Sequence, residues 1–287
     1  MASALLDDLL FLFAKKYVAG TSIGDAIDRA QHLNQFGVNA EIDFLGEHVS
    51  SKKTALKNTS QYLKLIALMK KYGIKNAVSV KLSSIGIEVN EGFCKKNLLR
   101  IAGKADESNI FLWIDMESGS LAEKTIKLYK EVFKKYNKTG IAVSAQLRDS
   151  FNDAKDLCKN KAVIRLVKGA YKEDSAVAFQ NPQDIKDNFI KIMKYLFSEC
   201  NNFAIATHDL TLIKEAKKLS SKNQFKKFEF QFLKGLNEEL EFRLVKEGFN
   251  ATEYIPFGEN WKPYFFRRMK EIWKNFLSNL KGAAGAN

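Results

Sequence analysis

At 287 residues, with 46% hydrophobic and 28% charged positions, the chain has a soluble globular composition and enough length for one barrel-sized core. Only three prolines and no Gly/Ser tract interrupt it, and Cys94, Cys158 and Cys200 lie far apart with no CxxC pair, which argues against a disulfide framework or a structural zinc and implies a reducing compartment. The formal net charge of +13 is spread in lysine pairs such as Lys52-Lys53, Lys70-Lys71 and Lys134-Lys135, with no RNP motif, zinc finger or basic zipper to make it a nucleic-acid signal.

The N-terminal stretch LLDDLLFLFAKKYVAG is apolar but carries Asp7 and Asp8, which fits neither a secretory leader nor a membrane span. Residues 1–36 are expected to form N-terminal helices, 37–280 a barrel and 281–287 a flexible tail, all as one domain. Eight short apolar, β-branched runs follow in order: 39–44, 77–82, 110–115, 141–145, 162–167, 203–206, 227–231 and 252–256. Amphipathic stretches alternate with them. In LKNTSQYLKLIALMKKYG the apolar positions Leu63, Ile66, Ala67 and Met69 define a helix face, and Gly73 is placed to stop the helix. Segments 121–136, 185–197, 210–219 and 265–280 read the same way. Alternating β and α units give a parallel sheet and eight of them close it, so the expected class is α/β, a distorted (β/α)8 TIM-type barrel with an N-terminal helical extension.

A barrel of this kind carries its active site at the C-terminal ends of the strands. Polar residues accumulate there: Glu41, Asp43 and Glu47 around the first strand, Lys81 on the second, Asp115 and Glu117 on the third, Arg165 and Lys168 on the fifth, Thr207, His208 and Asp209 after the sixth, Glu229 and Gln231 on the seventh. Lys81 and Asp115, on neighbouring strands, can pair and keep the lysine charged in a half-buried mouth. With Arg165, Lys168, Arg267 and Arg268 the mouth is cationic and suits an anionic ligand, and the arginine pair in YFFRRMKEIW is a candidate carboxylate clamp or a surface pair beside Glu271. No second histidine lies at ligand spacing from His208, and GxGxxG, GxxxxGK[ST] and HExxH are absent, so no metal site is expected.

The segments DFLGE (43–47), SVKLSSIG (79–86), LWIDMES (112–118), IRLVKGAY (164–171), ATHD (206–209), EFQFLKG (229–235), YIPFG (254–258) and WKPYFFRRMKE (261–271) together resemble the proline dehydrogenase family in order and spacing. The resemblance implies FAD at the barrel mouth and L-proline between the flavin and the last helix. It implies that Arg267, Arg268 and Lys81 bind the proline carboxylate, that Asp115 holds Lys81, and that Tyr254 and Ala170 pack on the ring. Arg165 would sit by flavin N5, and Val167, Lys168, Gly169, Thr207, His208, Asp209 and Glu271 would hold FAD. Glu47 would pair with Arg267 as a gate. Lys81, Asp115 and Arg165 form the implied catalytic set for hydride transfer from C5 of proline to flavin N5, with Δ1-pyrroline-5-carboxylate as product. The family normally delivers its electrons to a membrane quinone, so the resemblance implies a cytoplasmic protein with peripheral contact to the inner membrane face, and pyrroline-5-carboxylate dehydrogenase as a pathway partner.

Three positions depart from the family pattern. Ser144, in SAQLRD, stands where a flavin-contacting glutamine is usual, leaving Gln146 as its substitute; Lys172 replaces an aromatic after GAY, and Asp209 an asparagine. Tyr254 favours proline over hydroxyproline, the nearest alternative substrate. No stretch is left for a second aldehyde dehydrogenase domain, so a monofunctional chain is expected. The alternative from another class is a basic module for nucleic acid or an acidic membrane surface, resting on the net charge and the C-terminal helix FFRRMKEIWKNFLSNLK.

Overall fold

The computed structural model describes residues 2–74, 76–222 and 228–284, with side chains described from position 7 to position 273 apart from position 8. Two helices lead in, α1 (Ala2–Ala14) and α2 (Ile23–Gln35). Eight strands follow: β1 (Asn39–Phe44), β2 (Ala77–Val80), β3 (Phe111–Ile114), β4 (Thr139–Ser144), β5 (Val163–Val167), β6 (Phe203–Ala206), β7 (Phe228–Leu233) and β8 (Asn250–Phe257). The helices that follow them are α3 (Lys52–Lys71), α4 (Glu91–Glu107), α5 (Gly119–Phe133), α6 (Ser150–Lys159), α7 (Pro182–Glu199), α8 (Leu210–Lys222), α9 (Glu238–Lys246) and α10 (Trp261–Ala284). All neighbouring strands are parallel, and β8 returns to β1 to close the barrel, with Glu41 opposite Tyr254 and Asp43 opposite Pro256.

The period-two alternation of the strands sorts their side chains. On β1, Ala40 and Ile42 join the main apolar core between sheet and helices, while Glu41 and Asp43 turn into the barrel and are fully buried. Ala77, Trp113 and Ala204, with Phe111 and Val163, make a small apolar plug low inside the barrel. Gly140 on the neighbouring strand makes room for its largest member: a Cβ added there would lie 2.3 Å from Trp113, so the indole occupies the space a side chain would take.

The structure corrects several expectations. The buried face of α3 is Ala55, Tyr62, Leu65, Ile66 and Met69, whereas Ala67 is exposed and Leu63 only half-buried. A tyrosine at position 62 carries the stripe, and reading it as polar rotates the face. Gly73 does follow the helix end with φ +71°, a conformation that favours glycine. β2 stops at Val80, because Lys81 begins a 3-10 turn over Leu82–Ser84 that swings its side chain across the mouth. Cys158 and Cys200 are joined by a disulfide, against the reading that argued from their spacing for no such bond: α6 ends beside the last residue of α7, which brings the two Cα atoms to 5.5 Å. Of the tail expected at 281–287, residues up to Ala284 continue α10, and the remaining three lie outside the described residues, as does Lys227 at the start of the expected seventh strand. Among the described residues, no helix is long and apolar enough to cross a membrane.

Candidate active site

At the C-terminal mouth of the barrel the strand ends interlock. Lys81 Nζ donates to Asp43 Oδ2 at 2.7 Å and to the Tyr254 hydroxyl at 2.7 Å, and lies 3.0 Å from Asp115 Oδ2. Tyr254 in turn donates to Asp115 Oδ2 at 2.8 Å, and Ser79 to Asp115 Oδ1 at 2.6 Å. The Lys81–Asp115 pair expected from neighbouring strands is therefore present, but Asp43 is the closer partner, a contact strand order did not reveal. Burial would push the Lys81 ammonium down; Asp43, Tyr254 and Asp115 outweigh it and hold the lysine charged.

Arg165 lies deeper, 4% exposed, with its guanidinium between Glu41 and Asp115 and over the Trp113 ring at 4.9 Å. Burial drives the Asp115 carboxyl up, but Lys81 and Arg165 win and take it down to about 2. For Glu41 the balance reverses. Burial outweighs Arg165, and its carboxyl rises to about 7. Asp43 rises to about 6 for the same reason, Lys81 notwithstanding.

α10 covers one side of the mouth. Arg267 donates to Glu47 at 2.7 Å and faces the Tyr171 ring at 5.8 Å, so the expected Glu47–Arg267 contact is made. Arg268 is 6% exposed and bonds Glu271 one turn on, yet its Nε has no partner; nor does the buried Tyr264 hydroxyl on the same helix. A buried guanidinium donor left unpaired is costly, and a ligand carboxylate is the chemical group that relieves it.

The ends of β4, β5 and β6 form a second wall. Lys168 donates to Asp209 at 2.9 Å, and hydrogen bonds from Thr211 and Lys168 hold the Asp209 carboxyl well below its usual range despite partial burial. Val167 is half-buried, Gly169 and Ala170 are exposed, and Thr207 is buried with its hydroxyl accepting from the Asp209 amide. His208 Nε2 accepts from the Leu233 amide at 3.0 Å, so the ring carries its proton on Nδ1, which is buried and unpartnered. Burial, with Arg268 and Lys168, lowers this histidine to about 4 and keeps it neutral. Gly169 has φ +115°, and an added Cβ would meet Gln146 at 2.6 Å and Ser144 at 2.7 Å. Ser144 is thus packed beneath this turn, and half-buried Gln146 flanks it. Tyr171, Tyr264 and Ser79 were not among the expected site residues, although all three stand inside the family-like segments and could have been picked out there.

Comparison with known proteins identifies the family and the fold. The family model for proline dehydrogenase matches residues 26–275. Proline dehydrogenase 2 of Bacillus subtilis (strain 168) is 34% identical over 271 residues, covering 94% of this chain and 89% of its own length. The proline dehydrogenase of Deinococcus radiodurans is 32% identical over 276 residues, covering 94% and 89%. Among solved structures, proline utilization A from Bdellovibrio bacteriovorus, inactivated by N-propargylglycine, matches with a TM-score of 0.85 at 24% identity over 93% of this chain. A Bradyrhizobium japonicum proline utilization A mutant matches at 0.73 and 20% identity over 88%. The present chain spans about a third of those two longer chains, 33% and 30%, and the likeness to them is one of fold.

Proposed function

We propose, from the premise that this chain belongs to the proline dehydrogenase family, that it oxidises L-proline at the C5–N bond to Δ1-pyrroline-5-carboxylate with FAD as its cofactor and a membrane quinone as final acceptor. The observation that carries the reading is Arg268, buried with Nε unpaired, next to Arg267 on the helix that covers the mouth.

The chain's residues fit the cofactor. The unpartnered N–H of His208 leaves a donor along one wall, and the turn at exposed Gly169 presents main chain there, with Ser144 and Gln146 in the space a side chain would take. Gln146, Val167, Lys168, Gly169, Thr207, His208, Asp209 and Glu271 would hold FAD there, with Arg165 beneath. When bound, FAD supplies the acceptor for the hydride that leaves C5 of proline.

Everything else falls to side chains. Arg267, Arg268 and Lys81 take the substrate carboxylate and so fix where C5 lies; such positioning is worth several kcal/mol of barrier, up to ~7 or more in ideal cases. Tyr254 and Ala170 pack on the ring. Asp115 stays ionised, holding Lys81 and Arg165 in place, and Arg165 presents a fixed positive charge where negative charge develops. Glu47 and Arg267 form the gate over the bound substrate.

The visible spectrum of the purified protein, before and after anaerobic addition of proline, tests this. Flavin bands bleached by L-proline and not by D-proline are expected. Bands that L-proline leaves unchanged would discard the substrate, and a protein that neither carries nor takes up FAD would discard the whole reading. Delivery of electrons to a quinone calls for peripheral membrane contact through the basic C-terminal helix, whose side chains beyond position 273 lie outside those described. Deleting residues 272–287 should abolish co-sedimentation with anionic vesicles; undiminished binding counts against the helix. Pyrroline-5-carboxylate dehydrogenase would consume the product.

A further inference from the structure

The lower end of the barrel holds a second opening, away from the mouth. A cavity of about 260 Å³ is lined by Asn39, Asn76, Trp113, Asn202, Glu229 and Thr252, among others, and exposed Asn202 stands at its edge. From it a polar file rises through the barrel beside the apolar plug. Thr252 donates to Glu229 Oε2 at 2.7 Å, Gln231 to Glu229 Oε1 at 2.5 Å, and Arg165 to Gln231 Oε1 at 3.4 Å. Arg165 then bonds Glu41 and Asp115. Glu41 is fully buried, and while its Oε1 takes Arg165, its Oε2 has no partner.

The charges inside this space do not balance. Two cations, Lys81 and Arg165, share it with four carboxyls, Glu41, Asp43, Asp115 and Glu229. Uncompensated carboxylates in an enclosed space take up protons rather than stay charged. Asp115 has both cations and Asp43 has Lys81. Glu41 shares Arg165 with Asp115, and its bare Oε2 is where a proton can sit.

We propose that Glu41 is a positioning residue for the reaction: it fixes Arg165 from below and exchanges a proton with solvent through the lower cavity, by way of Glu229. A proton moves from water in the cavity to Glu229 and, since no hydrogen bond joins the two carboxyls, through an intervening water to Glu41 Oε2, one O–H bond breaking as the next forms, and nothing is oxidised or reduced. Ionised, Glu41 offsets the Arg165 charge; protonated, it leaves that charge to Asp115 and to what lies above. The charge beneath the substrate then follows the solvent even while Glu47 and Arg267 close the mouth. The inference rests on the proline-oxidising reading.

The groups that face Glu41 are Arg165 from β5, Asp115 from β3, Glu229 from β7 and, across the β1–β8 register, Tyr254, with Lys81 and Asp43 above. Arg165, Lys81 and Tyr254 hold their protons and Asp115 gives its up far below neutrality, whereas burial raises Glu229 and Asp43 along with Glu41. The experiment therefore has to separate Glu41 from those two. The limiting rate of flavin reduction by L-proline is measured anaerobically across the neutral pH range on the FAD-loaded full chain. The wild type should show an inflection near neutrality. Glu41→Gln should lose it and stay on the acid limb throughout, with proline affinity changed by less than about threefold because the carboxylate contacts remain, and Glu41→Asp should restore it. An inflection that survives in Glu41→Gln belongs to Asp43 or Glu229 and overturns the proposal.

A second measurement needs no turnover and no Gln variant. In wild-type protein labelled with 13C at the glutamate carboxyls, the Glu41 signal, assigned by its loss in Glu41→Asp, should titrate in the neutral range. A Glu41 signal that does not titrate there overturns the proposal even if proline proves to be the substrate. If Glu41 titrates but proline never bleaches the flavin, the substrate reading fails and the proton exchange stands.

Discussion

β8 stands between two clusters of buried charge, one on each face, and the two are finished differently. Inward, Tyr254 joins Lys81, Asp115, Asp43 and Arg165. Outward, the preceding residue Glu253 is gripped by Arg29 of α2 at 2.8 and 2.5 Å; Arg29 also reaches Glu238 at 2.7 Å, and Lys234 donates to the carbonyls of Lys15 and Lys16 after α1. Both hold more acids than bases, and both contain an acid raised far from its usual range: Glu41 inside, and Glu241 outside, where burial and the nearby Glu253 carry it to about 9. The difference is in what is left over. Outside, the cations are spent on carboxylates and main-chain carbonyls, which ties the N-terminal helices to the barrel. Inside, Arg268 Nε and His208 Nδ1 remain buried without partners. A perturbed acid therefore does not mark a site by itself; buried donors left unpaired at a barrel mouth do.

Three substitutions would break that contrast if it is wrong. The largest effect is expected from Arg29→Met, which strands Glu253 in a buried position: a loss of about 3–5 kcal/mol in denaturant-monitored unfolding, with the proline KM unmoved. A change in KM of the same size would mean the outer cluster shapes the mouth. Next comes Arg268→Met, which should raise the proline KM by roughly a hundredfold, about 2.7 kcal/mol of lost charge-assisted bonding, while FAD content and unfolding midpoint stay near wild type. An unchanged KM removes Arg268 from the clamp.

The third test turns on sign rather than size. Glu241 is raised in the folded chain relative to an ordinary glutamate, so its contribution is favourable at pH below the unfolded value near 4.5 and is lost as pH climbs to about 9. Glu241→Gln should match the wild type at the acid end and gain on it steadily toward alkaline pH. A stability difference constant with pH would show that the carboxyl is not held protonated.

Much of this was legible in the sequence because strands and mouth obey one rule. Apolar β-branched runs located all eight strands to within a few residues, and Asp43, Lys81 and Asp115 at their ends do meet; Glu229, expected there too, is the second residue of β7 and lines the lower opening instead, because β7 runs on to Leu233. The arginine pair was already a candidate clamp from its residues; the resemblance to a known family added Tyr254. What stayed hidden depended on three-dimensional offsets. Asp43 reaches Lys81 only because β1 and β2 pair with Asp43 opposite Ser79, two residues short of the lysine. Cys158 and Cys200 meet only because α6 and α7 end side by side, and separation along the chain carries no trace of that. Glu41 read as one more strand-end charge; its depth, and the lower opening, appear only once the barrel is closed.

The contact between Glu47 and Arg267 spans 220 positions of sequence. Glu47 follows the first strand and Arg267 lies in the last helix, so the mouth has no complete rim until β8 has docked against β1. During synthesis the chain therefore passes through its whole length without a place for substrate to sit. Binding competence arrives in one step with ring closure, and an assay of ligand capture on a refolding chain is at the same time a clock for the final seam.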